Sequence, residues 1–260
     1  MNKCVICGNE TEHAFTAKAL RKYSFEALSC GVCGFLQIRN PHWLDEAYGE
    51  AIVDDDTGLV ARNIALSEQL TPLLFHLFGP DGTYVDLAGG TGLFVRLMRD
   101  AGFDYYWSDA YCKNIHARGF EFDFTGKSCQ AATAFEVFEH LQDPVGFLKN
   151  ALEKTKCQAF IFSTVCFEGT CPAPDDWWYY AFHSGQHISF FQIKTLKYIA
   201  SKLNLDFVAN GCLYIFCDPS LKPKIDKFLH SRLIRKLVYY RLRKQLKSKT
   251  WSDCLLVLKD

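Results

Sequence analysis

No apolar run in this 260-residue chain approaches the ~20 residues that a membrane-crossing helix needs. The opening Met-Asn-Lys-Cys starts no secretory signal peptide. Internal repeats and low-complexity segments are missing as well. Disorder is excluded by composition, since 49% of residues are hydrophobic and 15% aromatic. One absence is local and more telling. Residues 84–95, Tyr-Val-Asp-Leu-Ala-Gly-Gly-Thr-Gly-Leu-Phe-Val, read as a buried strand, a glycine turn and the start of a helix. A dinucleotide-binding G-x-G-x-x-G would place another glycine at position 95, where Val95 stands.

What the turn does contain is a ligand site of another kind. Gly89, Gly90 and Gly92 let backbone approach a ligand where a Cβ would block it. Asp86 closes the strand at its carboxyl end, where open α/β sheets bind ligands. Asp109 lies 23 residues later, a spacing suited to accepting hydrogen bonds from ribose hydroxyls; the competing reading is an exposed loop aspartate.

Twelve cysteines would suggest a disulfide scaffold if they were patterned as one, yet eight are scattered. Scattered thiols fit a reducing, cytoplasmic setting. The other four form Cys4-x2-Cys7 and Cys30-x2-Cys33, with 22 residues between the pairs and a glycine after each. Four thiolates suit a closed, structural zinc site, with iron in a rubredoxin-like site as the alternative.

Charge sums to zero but is unevenly spread. Residues 222–260 hold 12 lysines and arginines against 3 acidic residues. Most fall on one expected helix, 221–247. It reads either as a packed amphipathic helix with a solvated basic face or as a docking element for an anionic partner. The second reading leaves room for peripheral attachment at the inner face of the membrane or to a glycan-assembly partner. Residues 1–45 carry five basic against four acidic residues, a poor phosphate platform, so nucleic acid is disfavoured as a partner.

Along the chain, 1–40 is expected to be a zinc ribbon of short hairpins and 41–80 a helical linker or lid, with Asp54, Asp55 and Asp56 between its helices. Residues 81–260 form the main domain. Strand and helix patterns alternate there, with strands near 84–87, 105–108, 120–122, 131–135, 159–164, 207–217 and 252–258. That alternation predicts a mostly parallel, Rossmann-like α/β sheet of seven strands. An insertion at 165–190 holds Trp177, Trp178, Tyr179, Tyr180 and Phe182 within six positions, then His183 and His187. Aromatic faces with polar tips suit a polyhydroxylated or ring-shaped acceptor, and a histidine can take a proton near neutral pH. The alternative is that the aromatics cap the sheet and the histidines bond within the core.

Phe135-Glu136-Val137-Phe138-Glu139-His140-Leu141-Gln142-Asp143-Pro144 resembles the E-V-(apolar)-E-H-(apolar)-x-D-P motif of S-adenosylmethionine (SAM) methyltransferases acting on small molecules. The glycine turn is similar to the first motif of class I SAM methyltransferases, with Ala88 where many members have glycine. No N/D-P-P-(aromatic) motif is present, which argues against DNA and glutamine methylation. The cysteine module, Trp43-Leu44-Asp45-Glu46-Ala47-Tyr48 and Gly58-Leu59-Val60-Ala61-Arg62-Asn63 look like a bacterial group of zinc-ribbon methyltransferases associated with surface-glycan and sugar biosynthesis.

The resemblance implies that Asp86, Ala88, Gly89, Gly90, Gly92, Asp109 and Glu136 hold SAM. It implies a small carbohydrate acceptor, methylated at oxygen or carbon. Glu136, His187, His183 and His140 are then the catalytic candidates, with His187 first; Glu139 braces the loop. Arg62, Trp177, Trp178 and Tyr179 are the acceptor candidates. Two other readings remain at this point: an RNA methyltransferase with a zinc recognition module, and a non-enzymatic SAM- and zinc-binding assembly protein.

Overall fold

The structure, a computed structural model, describes residues 3–49 and 56–258; Asp54 and Asp55 lie outside them. The chain opens with strands β1 (Glu12–Ala19), β2 (Tyr23–Ser29) and β3 (Leu36–Ile38) and helices α1 (Leu44–Ala47) and α2 (Leu59–Phe78). Next come β4 (Thr83–Leu87), α3 (Leu93–Ala101), β5 (Asp104–Ser108), β6 (Ala131–Phe135), α4 (Pro144–Thr155) and β7 (Ala159–Ser163). The remainder is β8 (Ser189–Phe190), α5 (Ile193–Lys202), β9 (Asp206–Asn210), β10 (Leu213–Cys217), α6 (Lys222–His230), α7 (Arg232–Gln245) and α8 (Thr250–Val257).

Six strands make the main sheet in the order β5-β4-β6-β7-β10-β9. β4 pairs in parallel with β5 and β6, with Asp86 opposite both Trp107 and Thr133. The strand sequences explain their central place. Ala-Phe-Ile-Phe-Ser of β7 is buried at every position, the continuous apolar run of a strand covered on both faces. β9 and β10 are joined by two residues, Gly211 and Cys212, a link short enough only for an antiparallel hairpin.

The α/β class is as expected, with six strands in place of seven. The strand expected at 120–122 is reduced to a single bridge, Trp107 to Glu121. The strand expected at 252–258 is helix α8. A short apolar run fits either element, and here a tertiary contact decides. Asp253, near the helix start, is buried and takes both Arg99 Nε and Nη2 at 2.7 and 2.8 Å and Arg96 Nη2 at 2.9 Å. The single helix expected at 221–247 is two. Ser231 sits between α6 and α7 in extended backbone, and its hydroxyl accepts the Ile234 amide at 3.3 Å as an N-cap.

The chain divides into two compact units. One comprises 1–53, 135–150 and 162–214; the other 54–134, 151–161 and 215–260. In the first, β1-β2-β3-β8 form a small sheet. The insertion packs on this sheet: Phe15 and Phe25 meet Phe182 at ring centroids of 6.1 and 5.0 Å, and Trp43 Nε1 donates to the Gly185 carbonyl at 2.9 Å. The cysteine module is therefore tied to 177–190 through a shared aromatic core. In the second unit, α7 packs on α2, and His76 stacks on Phe228 of α6 at 5.4 Å.

Candidate functional site

In the second unit the turn after β4 is built around two carboxylates. Asp86 is buried at 3% exposure, and the Thr133 hydroxyl donates to its Oδ1 at 2.6 Å. Burial, reinforced by the charge of Asp109 and opposed by the Thr133 bond, pushes Asp86 up to about 7. A Cβ on Gly89 would lie 2.9 Å from Asp86 Oδ2 and 3.1 Å from Trp107 Cδ1, so glycine is required where the chain turns over the aspartate. Gly92 starts α3 at φ 83°, and a Cβ there would meet Asn114 Oδ1 at 2.8 Å. Ala88 takes φ 55° without being glycine, a conformation that costs a side chain about 1–2 kcal/mol. Strain of this kind concentrates at functional sites.

Asp109 is engaged within the turn itself. Its Oδ2 accepts the Gly90 amide at 2.8 Å, and its Oδ1 the amides of Tyr111 and Cys112 at 2.7 and 2.8 Å. The carboxylate braces the glycine turn against the loop after β5. A carboxylate has about four lone-pair sites, so one stays open to a ribose hydroxyl. Trp107 Nε1 donates to the Gly90 carbonyl at 2.9 Å and holds the turn from the same loop. Thr133 and Trp107 were not singled out from the sequence. Their only signal is a polar tip inside an otherwise apolar strand.

In the first unit, the Glu136–His140 segment meets the end of the insertion. Glu136 adopts φ 52°; its Oε1 accepts the Ser163 hydroxyl at 2.5 Å and its Oε2 the Tyr179 hydroxyl at 3.4 Å. Glu139 is fully buried, and neither oxygen has a hydrogen-bond partner. Its pKa is pushed up to about 8 by burial and then by the charge of Glu136. His140 is driven down to about 3 by burial and by neighbouring His187, and its Nδ1 is unpartnered. Burial also lowers His187, whose Nδ1 lies 2.7 Å from the Tyr179 carbonyl. A carbonyl only accepts, so Nδ1 carries the proton and Nε2 the lone pair. The rings of His140 and His187 meet edge to face at 4.8 Å.

The structure thus brings Glu136, His140, His187 and Tyr179 together, with Ser163 as an unforeseen member. The other insertion residues touch this group only at its edge, where the rings of Trp177 and Trp178 each meet that of Tyr179 at 5.4 Å. His183 is exposed, although its charge reaches His187. Trp177 packs among core aromatics against Phe167 and Tyr180, and Trp178 is 79% exposed. Arg62, in the second unit, is engaged bidentately by Asp56 at 2.7 and 3.0 Å. The basic helices bury only Ile225, Phe228 and Val238 fully and leave Leu233, Leu237, Tyr239 and Tyr240 exposed. Among the described residues no helix is long and apolar enough to cross a membrane.

The four cysteines of the N-terminal pairs converge. Cys4 and Cys33 sulfurs lie 3.5 Å apart and those of Cys7 and Cys30 3.4 Å apart. A tetrahedral zinc with Zn–S of about 2.3 Å spaces its sulfurs by about 3.8 Å. Backbone amides of Ile6 and Cys7 donate to Cys4, and those of Val32 and Cys33 to Cys30. The donor set, its spacing and the amides aimed at sulfur all fit a four-thiolate metal site.

The sequence matches the methyltransferase-domain family over residues 61–210. A search of curated proteins returns no significant match. Among solved structures, the chain is similar to a magnesium protoporphyrin IX methyltransferase from Synechocystis PCC 6803 with bound SAH, at 12% identity and TM-score 0.43, over 67% of this chain and 91% of that one. It is similar to an O-methyltransferase family protein from Burkholderia thailandensis, at 11% identity and TM-score 0.44, over 67% and 61%. It is also similar to the methyltransferase domain of a bacterial Hen1, at 18% identity and TM-score 0.40, over 60% and 97%. The family match spans the glycine turn, the braced Asp109 and the Glu136 segment alike, and on that ground the chain belongs to the methyltransferase-domain family.

Proposed function

We propose that the protein methylates a hydroxyl, or an acidic C–H, of a small polyhydroxylated acceptor such as a sugar or nucleotide sugar. The observation that carries this reading is the polar cluster of buried Tyr179 with half-buried Glu136, His140 and His187, in which acceptor atoms outnumber donors. Such a group suits a ligand rich in O–H donors. The family resemblance to glycan-associated methyltransferases supports the same class.

SAM supplies an electrophilic methyl carbon for in-line displacement at its sulfonium. The chain's contribution is positioning and proton removal. Asp86 and the Gly89–Gly92 turn hold the methionine end, with the Asp86 carboxylate pairing the ammonium. Asp109 accepts from the ribose. His187 Nε2 and the Glu136 carboxylate are the two groups able to take the acceptor proton, and Tyr179 orients Glu136 through its hydroxyl. Cys4, Cys7, Cys30 and Cys33 hold a structural zinc that fixes the module against which the insertion packs.

The test is incubation with methyl-labelled SAM and a panel of nucleotide sugars and free sugars, reading label transfer by mass spectrometry. Labelled product from a sugar acceptor supports the reading. Transfer to RNA but to no sugar would replace the acceptor class. A protein whose melting temperature ignores SAM and SAH would overturn the reading itself.

A further inference from the structure

One buried group has no role in the fold as drawn. Both carboxylate oxygens of Glu139 are sealed from solvent without a well-formed hydrogen bond, although the Tyr179 and Thr164 hydroxyls approach them, and Nδ1 of His140 is sealed and unpartnered too. A buried carboxyl without a positive partner stays protonated unless a cation comes to it. The neighbours supply none. Glu136 is acidic, Tyr179, Thr164 and Cys166 are neutral, and the adjoining rings are those of His187 and Tyr48.

One potential ligand atom from each of Glu139, His140 and His187 lies within 4.8 Å of the other two. The histidines are already arranged as ligands. His187 donates through Nδ1 to the Tyr179 carbonyl, which leaves the Nε2 lone pair available as a ligand. His140 is held by the backbone of Gln186, leaving its Nδ1 open. An outer hydrogen bond of this type fixes tautomer and ring orientation in histidine-ligated metal sites.

We infer that Glu139, His140 and His187 bind a divalent first-row transition-metal ion, separate from the four-cysteine site, with coordination positions left open for an acceptor oxygen. Two imidazoles and one carboxylate favour manganese, iron, cobalt, nickel or zinc over magnesium and calcium. Ligand bonds of about 2.1 Å need donor atoms ~3–3.5 Å apart, a closure that side-chain rotation supplies. The ion's charge answers Glu139 and Glu136 together.

The chemical consequence rests on the methyltransferase reading above. A hydroxyl bound at an open position is acidified, as water is on such ions. With His187 committed to the ion, its proton passes to Glu136 and thence to water. The acceptor oxygen forms the new C–O bond while the methyl C–S bond breaks, and the electron pair stays on sulfur, giving S-adenosylhomocysteine.

The test uses Mn2+, which avoids thiolates, titrated into the full-length protein and followed by loss of the free-ion electron paramagnetic resonance signal. The expected result is one Mn2+ per chain. Glu139→Gln and His187→Ala should each weaken it more than about 100-fold, beyond the ~10–100-fold cost of losing an outer partner. Cys30→Ser should leave Mn2+ binding in place while losing the thiolate-bound metal. Melting temperatures identify any variant that fails to fold, and the second variant then decides. No saturable Mn2+ or Co2+ binding at millimolar concentration, or wild-type binding by both variants, overturns the inference. SAM calorimetry on the same samples separates the two claims: SAM binding without Mn2+ binding sinks only the metal site, and Mn2+ binding without SAM binding sinks only the methyl-transfer reading.

Discussion

Asp86→Asn should make the protein more stable and less able to bind SAM, and the gain should depend on pH. Asp86 is buried at 3% exposure, and burial raises it from 3.8 to about 7. The folded state therefore holds a proton that the unfolded chain sheds near pH 4. Between those values stability falls as pH rises, because the native state binds more protons than the unfolded one. Above pH 7 the loss is complete, and at 1.36 kcal/mol per pH unit it amounts to about 4 kcal/mol. Asparagine keeps an oxygen for the Thr133 hydroxyl at the same place but never ionises. At pH 8 the variant should gain about 2–4 kcal/mol, at roughly 2–4 °C of melting temperature per kcal/mol for a chain of this size. At pH 4 both side chains are largely neutral, and the difference should vanish. SAM affinity should fall ~10–100-fold, the worth of a charged hydrogen bond. Thermal melts at pH 4 and pH 8, with calorimetry at pH 8, measure all of this. An equal destabilisation at both pH values, with SAM affinity unchanged, would refute the reasoning.

Elemental analysis of freshly purified protein should find zinc at the four-cysteine site, and Cys30→Ser should lose that equivalent together with stability; protein free of both zinc and iron would remove the site. Asp109→Ala should weaken SAM and S-adenosylhomocysteine ~10–100-fold in calorimetry, because it strips a ribose partner and three amide bonds from the turn. His187→Ala should lower turnover ~10²–10⁴-fold with SAM affinity nearly intact, so steady-state rates beside SAM titrations check it; a loss of SAM binding in proportion would place the imidazole in the cofactor site. Asp253→Asn should cost about 1.5–3 kcal/mol, since it takes the bidentate partner from buried Arg99 and leaves it only Asp104 at 3.1 Å as an ion partner; denaturant melts showing no loss would mean that α8 is held by other contacts.

How much was legible in the sequence follows from how far each interaction reaches. The glycine turn, the two cysteine pairs and the Glu136 segment are short stretches whose chemistry needs fixed residue types at fixed spacing, and each lies where the pattern places it. The apolar-rich stretch 251–257 is a different case. Trp-Ser-Asp-Cys-Leu-Leu-Val has no period that separates strand from helix, and the deciding contact is an ion pair 154 positions away in sequence. The break at Ser231 is local but was hidden by an uninterrupted run of helix formers on both sides.

The insertion shows the same limit inside a single segment, and there it bears on function. Five of the six residues 177–182 are aromatic, yet the fold gives them different work. Tyr180 and Phe182 stack on each other at 4.7 Å and meet Phe15 from the N-terminal sheet. Trp178 faces solvent. Tyr179 alone turns its hydroxyl to Glu136 and its carbonyl to His187. Long-range packing distinguishes them, against Phe15 of the N-terminal sheet and against Glu136; the nearby pairing of β3 with β8 likewise joins residues about 150 positions apart, which no local pattern encodes. The cysteine module is therefore placed to set the register of the insertion, and through Tyr179 the orientation of both candidate proton acceptors. Loss of metal at Cys4, Cys7, Cys30 and Cys33 should then disturb the His187 tautomer as well as stability, which imidazole NMR on Cys30→Ser would register as a loss of the single Nδ1–H form; an unchanged imidazole spectrum in the metal-free variant would uncouple the module from the site.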